Sequence, residues 1–257
     1  MLTPKAIMKP IRPYKKSFPT FHPDTDSRQR NPLRSSQYAN STDTSSTLHF
    51  QYPVLMGAPP PFLHDQHFKT WWASLQTNFP NRSLPLHIEI GCGQGLHPIR
   101  WAQSHSQAGL VALERTQVKY SKLLSRLHSH QFPNIYPVNS DGTYWLPNNI
   151  ACQSVERYYL LYPNPYPKGS QANKRWHRSP FFEWILQSLK LGGHIEMASN
   201  LPWYIEEAKL YCREHWNLKL VSEKNLSLTH DYKPQSHFEK KYLFRGEPCT
   251  HLIFQKK

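Results

Sequence analysis

Two stretches of this 257-residue chain have residue types and spacings suited to chemistry. The first is Glu89-Ile90-Gly91-Cys92-Gly93-Gln94-Gly95, with Glu114 and Asp141 further along. Glycines at alternate positions let the backbone turn sharply and approach a ligand closely. The spacing is GxGxG, not the GxGxxG of a dinucleotide fold, whose third glycine packs helix on strand and whose helix end takes a pyrophosphate. Glu89, two residues ahead of Gly91, would repel phosphate but suits the ammonium or sulfonium side of S-adenosylmethionine. Glu114 follows Gly91 by 23 residues, a place where acids accept from ribose hydroxyls. Asp141 suits an adenine amino group. The combination fits a class I methyltransferase. A strand-end turn, a helix cap at Asp141 and a surface ion pair at Glu114 explain the same residues without a ligand.

The second stretch runs from Arg157 to Trp184 and crowds aromatics around Tyr162-Pro163-Asn164-Pro165-Tyr166-Pro167. Prolines fix φ and remove donors, so this turn is rigid. Lys168, Lys174, Arg175 and Arg178 follow it. Tyr166 and Trp176 are candidates to stack bases while the cations take phosphates. A solvated basic loop is the plainer alternative.

The elements that must position these residues are legible as patterns. Residues 67–79 and 96–106 have helical spacing, as do 116–130, 181–189 and 203–215. Gly192-Gly193 stands as the stop of the fourth helix. Strands are expected at 86–90, 109–114, 134–138, 157–162 and 194–199, with 218–223 and 250–255 as closing antiparallel strands. Strands alternating with helices imply a Rossmann-like, mostly parallel sheet with helices on both faces and an antiparallel C-terminal strand. Residues 51–257 form the expected domain. Residues 1–50 carry eight cations against three aspartates, interrupted by prolines and ending in a Ser/Thr-rich linker. Such a segment buries too little apolar surface to offset its chain entropy. It is expected to be a disordered basic tail, either an RNA-grazing arm or a solvated extension.

Charge and cysteine usage narrow the function classes. Lys+Arg number 31 against 17 Asp+Glu, a net charge of +14, which suits a polyanionic partner. Cys92, Cys152, Cys212 and Cys249 form no CxxC pair, and the 15 histidines are scattered with no HExxH. Zinc ribbons, redox dithiols and a metal centre are therefore not expected. No window is long and apolar enough for a membrane helix. The N-terminus has no apolar secretory core, so a cytoplasmic protein with reduced thiols is expected.

Residues 84–257 resemble the bacterial tRNA (guanine-N7)-methyltransferase family. The shared signs are the Glu89–Gly95 run, Ala112-Leu113-Glu114, the proline turn with Lys168, Leu189–Gly193, Met197–Asn200 and Ser236-His237-Phe238-Glu239. The resemblance implies S-adenosylmethionine as cofactor and tRNA as partner. Glu89, Gly91, Gly93, Gly95, Glu114, Asp141 and Asn164 would then lie at the cofactor, with Asn164 also in the catalytic role. Lys168, Lys174, Arg175, Asn200, Ser236, His237, Phe238 and Glu239 would meet the substrate. The chain departs from the family at Asn164 and Asn200, where the family has aspartates, and at Gln171, where it has a histidine. Two carboxylates have become amides, and loss of one such charge costs about 10²–10³ in rate. Methylation of an exocyclic amine, or RNA binding with weakened catalysis, are the alternatives that these departures open.

Overall fold

A computed structural model describes residues 65–77 and 83–257. The reading of residues 1–50 as a basic tail falls outside the described residues. Helix α1 (Gln66–Thr77) precedes β1 (Leu86–Ile90), α2 (Leu96–Ser104), β2 (Gly109–Leu113), α3 (Gln117–His130) and β3 (Ile135–Val138). Then come α4 (Gly142–Asn149), β4 (Val155–Leu161), α5 (Phe181–Ser188), β5 (Leu189–Ser199), α6 (Pro202–Leu210), β6 (Lys219–Leu226), α7 (His237–Phe244) and β7 (Cys249–Gln255). The seven strands form one sheet in the order β3-β2-β1-β4-β5-β7-β6. The first five are parallel; β7 runs antiparallel to both β5 and β6.

Alternation along the strands builds two cores. Leu86, Ile88 and Ile90 of β1, with Tyr158 and Leu160 of β4, face Phe68, Trp145, Phe182, Ile185 and Ile205. That face carries α1, α4, α5 and α6. Leu110, Ala112, Tyr159 and Leu161 point the other way, toward Trp101, Leu123 and Leu243 of α2, α3 and α7. Burial on both sides explains why these strands read as near-continuous apolar runs. β3 contains Pro137, which lacks a ladder donor, and it sits at the sheet edge where that omission is harmless.

Three sequence expectations need correction. Gly192-Gly193 does not stop α5, which ends at Ser188; both glycines lie inside β5. The register between β4 and β5 shifts at Val155/Arg157. A Cβ on Gly193 would stand 3.0 Å from the Glu156 carbonyl, so the irregularity needs the missing side chain. The helix expected at 203–215 is α6 followed by a π-helical turn, Tyr211–His215. Two short helices escape the pattern: α4 has Pro147 inside it and α7 mixes charges with its apolar residues, so neither shows the apolar run that marks the equally short α5.

Sheet order reverses between β1 and β4, and ligands bind at the carboxyl rim of such a switch point. The glycine turn, Glu114, Asp141, the proline turn and Asn200 all follow strands at that rim. Gly95 fixes how α2 leaves it. Its φ is +83°, and a Cβ there would lie 2.3 Å from Leu123 Cδ1 on α3. Gly95→Ala should therefore lower stability by about 1–3 kcal/mol through strain and overpacking. Gly93→Ala, which meets open space, should cost only the positive-φ penalty; urea denaturation of the two variants measures the difference.

Candidate active site

The glycine turn is stitched to the neighbouring strand. Gly91 N and Cys92 N both donate to the Leu113 carbonyl, at 2.8 and 2.9 Å. Gly91 and Gly93 have φ of +85° and +61°, and a Cβ on either would meet nothing within 4 Å. These two positions thus face open space, which is what a cradle for a ligand requires. Glu114 is buried; its Oε2 accepts from Gly93 N at 3.0 Å and its Oε1 from Thr116 N at 2.7 Å. A carboxylate has about four acceptor positions, so capacity remains for two ribose hydroxyls. Asp141 caps α4: its Oδ1 accepts from Thr143 N at 2.9 Å, while its Oδ2 meets Arg115 Nη1 at 3.2 Å. The cap that sequence allowed is real and leaves Asp141 half-buried at the rim.

Glu89 lies beneath the turn, buried, with its Oε2 2.8 Å from His97 Nδ1. Burial disfavours a charged His97, but the Glu89 carboxylate outweighs it and raises the imidazole pKa. One Glu89 oxygen is thus committed to His97. The remaining acceptor capacity and the open glycine positions fit the ribose, adenine and amino groups of S-adenosylmethionine.

The proline turn is held from behind. Tyr162 and Tyr166 have φ of +49° and +46°, a conformation that costs on the order of 1–3 kcal/mol per residue and persists only under external restraint. Arg175 supplies the restraint. Its Nε and Nη2 donate to the Tyr166 carbonyl at 3.1 and 3.0 Å, and Nη2 also reaches the Pro167 carbonyl at 3.3 Å. Its Nη1 lies 2.7 Å from both oxygens of Glu207 on α6. The guanidinium also covers the Trp203 ring at 4.8 Å. Arg175 is 2% exposed, so its assignment to an RNA phosphate is overturned: every donor face is already used inside the protein. Arg178 likewise bonds Glu207 and lies over Tyr211. Burial would raise the Glu207 pKa, but hydrogen bonds from His177 and Arg175 bring it down to about 2.

Asn164, Lys168 and Lys174 are exposed on the front of this loop. Asn164 Oδ1 accepts from Tyr166 N at 3.3 Å, and Lys174 Nζ stands 5.8 Å from the Tyr166 ring centroid. Trp176 is half-buried and packs against the core rather than standing free for a base. Gln171 is half-buried.

Ser236 and Glu239 prove to be the cap of α7. Ser236 Oγ accepts from Glu239 N at 3.1 Å. Glu239 is fully buried and receives Tyr232 OH and Gln235 N, both at 2.7 Å, and Tyr162 OH at 3.2 Å. It therefore builds the floor beneath the proline turn. His237 and Phe238 point toward α3, where they meet Arg126 and Lys119.

Sequence reasoning missed Glu207, His251 and Glu247. His251 Nε2 lies 2.8 Å from Glu239, and its Nδ1 lies 3.3 Å from Glu196. Glu247 accepts from Asn200 Nδ2 at 2.6 Å. A carboxylate therefore stands beside the position where the family has an aspartate and this chain an amide. No short motif marks Glu247, because its partner lies 47 residues earlier.

A family model described as "Putative methyltransferase" matches residues 83–252. The chain belongs to this methyltransferase family. It is 28% identical over 187 residues to the tRNA (guanine-N(7)-)-methyltransferase of Rhizobium johnstonii, covering 71% of this chain and 78% of that protein. It is 27% identical over 186 residues to the protein of the same name from Yersinia enterocolitica, covering 68% and 74%. Among solved structures, the 16S rRNA methyltransferase KamB is similar at TM-score 0.53 and 15% identity, covering 77% of this chain and 95% of that one. That likeness supports the class I methyltransferase fold. Among the described residues no helix of this methyltransferase is long and apolar enough to cross a membrane.

The Glu239–His251–Glu196 chain predicts a pH dependence. Burial lowers the His251 pKa, but its hydrogen bonds to Glu196 and Glu239 prevail and raise it from 6.5 to about 9. A folded pKa above the unfolded one contributes stability below pH 6.5 that disappears as pH rises through about 9. Buried Cys92, Cys212 and Cys249, whose thiol pKa values burial raises, also lower stability above about pH 8.5. Between pH 6.5 and pH 9.5 urea denaturation should therefore show a fall in both proteins, smaller in His251→Gln than in the wild type by on the order of 3 kcal/mol.

Proposed function

We propose that this methyltransferase transfers the methyl group of S-adenosylmethionine to N7 of a guanosine in tRNA. One observation carries the reading: a glycine turn with three acids and a pinned turn bearing Asn164 share one rim, in a chain whose relatives are named for that reaction. Glu114 and Asp141 hold the ribose and adenine of the cofactor, and Glu89 favours its cationic side. The cofactor supplies an electrophilic methyl group on sulfur.

Guanine N7 has a free lone pair, so the protein need not remove a proton before attack. Its main task is alignment of N7, methyl and sulfur. Rigid restraint of Asn164 and Asn200 in the turns after the adjacent strands β4 and β5 serves that task. The methylated base is cationic, and a nearby carboxylate favours it over the neutral ground state. Glu247 supplies that charge: its nearest cation, Arg245, is 3.8 Å away and 58% exposed. Asn200 Nδ2 donates to Glu247, which leaves Asn200 Oδ1 to accept from the base. The rival reading has Asn164 accept from an exocyclic amine; its Oδ1 accepts from Tyr166 N at 3.3 Å and keeps a second lone pair, so the product nucleoside decides between the two. Lys168 and Lys174 engage RNA phosphates; the basic segment 1–50 adds to that attraction in the cytoplasm, where tRNA is the polyanion at hand.

The deciding assay incubates the protein with unmodified tRNA and labelled cofactor and identifies the product nucleoside by mass spectrometry. 7-Methylguanosine is expected; a methylated exocyclic amine, or no product, overturns the reading. Asn164→Asp adds a charge without changing shape and should speed single-turnover transfer. Asn200→Asp should slow it, because two carboxylates would then face each other within hydrogen-bond distance. The exchange Asn200→Asp with Glu247→Gln moves the charge across the same hydrogen bond and should return the rate to within a few-fold of wild type.

A further inference from the structure

Beside the reaction rim, between α2, α7 and the loop from 227 to 236, lies a cleft of about 480 Å³. Arg100, Lys233 and Lys240 line it, with Tyr232 and Phe244 among them, and no carboxylate is in its walls. Glu239 is buried on Tyr232 and His251, and Asp231 stands fully exposed beside His230 at the edge of the cleft. Arg100 is the sharper sign. Its Nη1 is buried and has no acceptor among the described residues. An unmet buried donor is costly, and the same side chain lines the cleft, where its positive charge favours an anion. Phe244 is 65% exposed, with Lys240 Nζ 5.8 Å from its ring centroid. An exposed ring interleaved with cations is what a single-stranded nucleic acid requires, the ring for a base and the cations for its phosphates. The basic face continues onto α3, where Arg126 meets His237 and Lys119 lies over Phe238.

We propose that this cleft binds one nucleotide of the RNA substrate away from the methylated base, with Arg100, Lys233 and Lys240 on the phosphates and the base stacked on Phe244. The proposal rests on tRNA as substrate. Tyr232 links the two places, since it borders the cleft and donates to the Glu239 that supports the proline turn.

The test measures affinity for an unmodified tRNA transcript across a salt series, using the full chain. Each phosphate contact contributes about 0.7–0.9 to the slope of log K against log salt. Lys233→Gln with Lys240→Gln should reduce the slope by roughly 1.4–1.8. Lys219→Gln with Lys224→Gln removes the same charge from the exposed edge of β6 and should change it by less than about 0.5, the loss expected where no phosphate is held. Phe244→Ala should weaken binding at least about fivefold with the slope unchanged, as loss of a stacked base does. Equal slope losses in the two lysine pairs would mean a diffuse field and overturn the cleft. Wild-type affinity in the Lys233/Lys240 variant would also overturn it and point instead to an acidic protein segment as the cleft's occupant. If the wild type does not bind the transcript, both the cleft and the tRNA reading fall; if it binds and only the cleft variants behave as wild type, the tRNA reading survives.

Discussion

The buried pair between Arg175 and Glu207 is the constraint on which the reaction rim depends. Three prolines in the turn after β4 cannot donate backbone hydrogen bonds, so the turn cannot tie itself down. Its carbonyls need a donor from elsewhere, and Arg175 provides a fork for Tyr166 and Pro167. A guanidinium with no route to water needs a carboxylate, and Glu207 is that partner. Taking both charges out of water is expensive, and removing either from such a pair typically costs 3–5 kcal/mol. Glu207 belongs to α6, which begins at Pro202, two residues after Asn200. One ion pair therefore ties the turn that carries Asn164 to the helix that follows Asn200.

The same economy of charge runs through the rest of the site. Carboxylates beneath the rim are matched by imidazoles: Glu89 by His97, and Glu239 and Glu196 by His251. Arg157 closes the second chain on Glu196. These acids support the turns but have spent much of their charge. Glu247 differs, since its close partner is the neutral amide of Asn200. In the proposed reaction it is the carboxylate beside Asn200 that would face a cation forming there. An aspartate at position 200 would need the space and field that Glu247 already occupies, which gives a physical reason for the amide.

Fold and cofactor side were legible in sequence because their signals are local. Buried parallel strands show as short apolar runs, and the turn shows as three glycines whose φ values no other residue adopts cheaply. Acids at strand ends follow from the spacing of the strands themselves. Helices α4 and α7 lack the apolar run that marks the equally short α5, although Ser236 and Glu239 stand at capping-box spacing. Those two residues were read as pocket lining, when their first task is to begin a helix and brace Tyr162.

By itself the sequence determined the fold class, the order of its elements, the glycine cradle with Glu89, Glu114 and Asp141, and the rigid turn at Asn164. It could not determine which cations face solvent. Arg175 looks like its neighbours Lys174 and Arg178 in a basic run, yet only burial against α6 distinguishes a structural guanidinium from a solvent-facing ammonium. Nor could it find Glu247 or His251, whose partners come from distant strands. Charge pairing acts over a few ångströms in space, whatever the separation along the chain. Only the antiparallel return of β7 beside β5 brings His251 to Glu196 and carries Glu247 to Asn200.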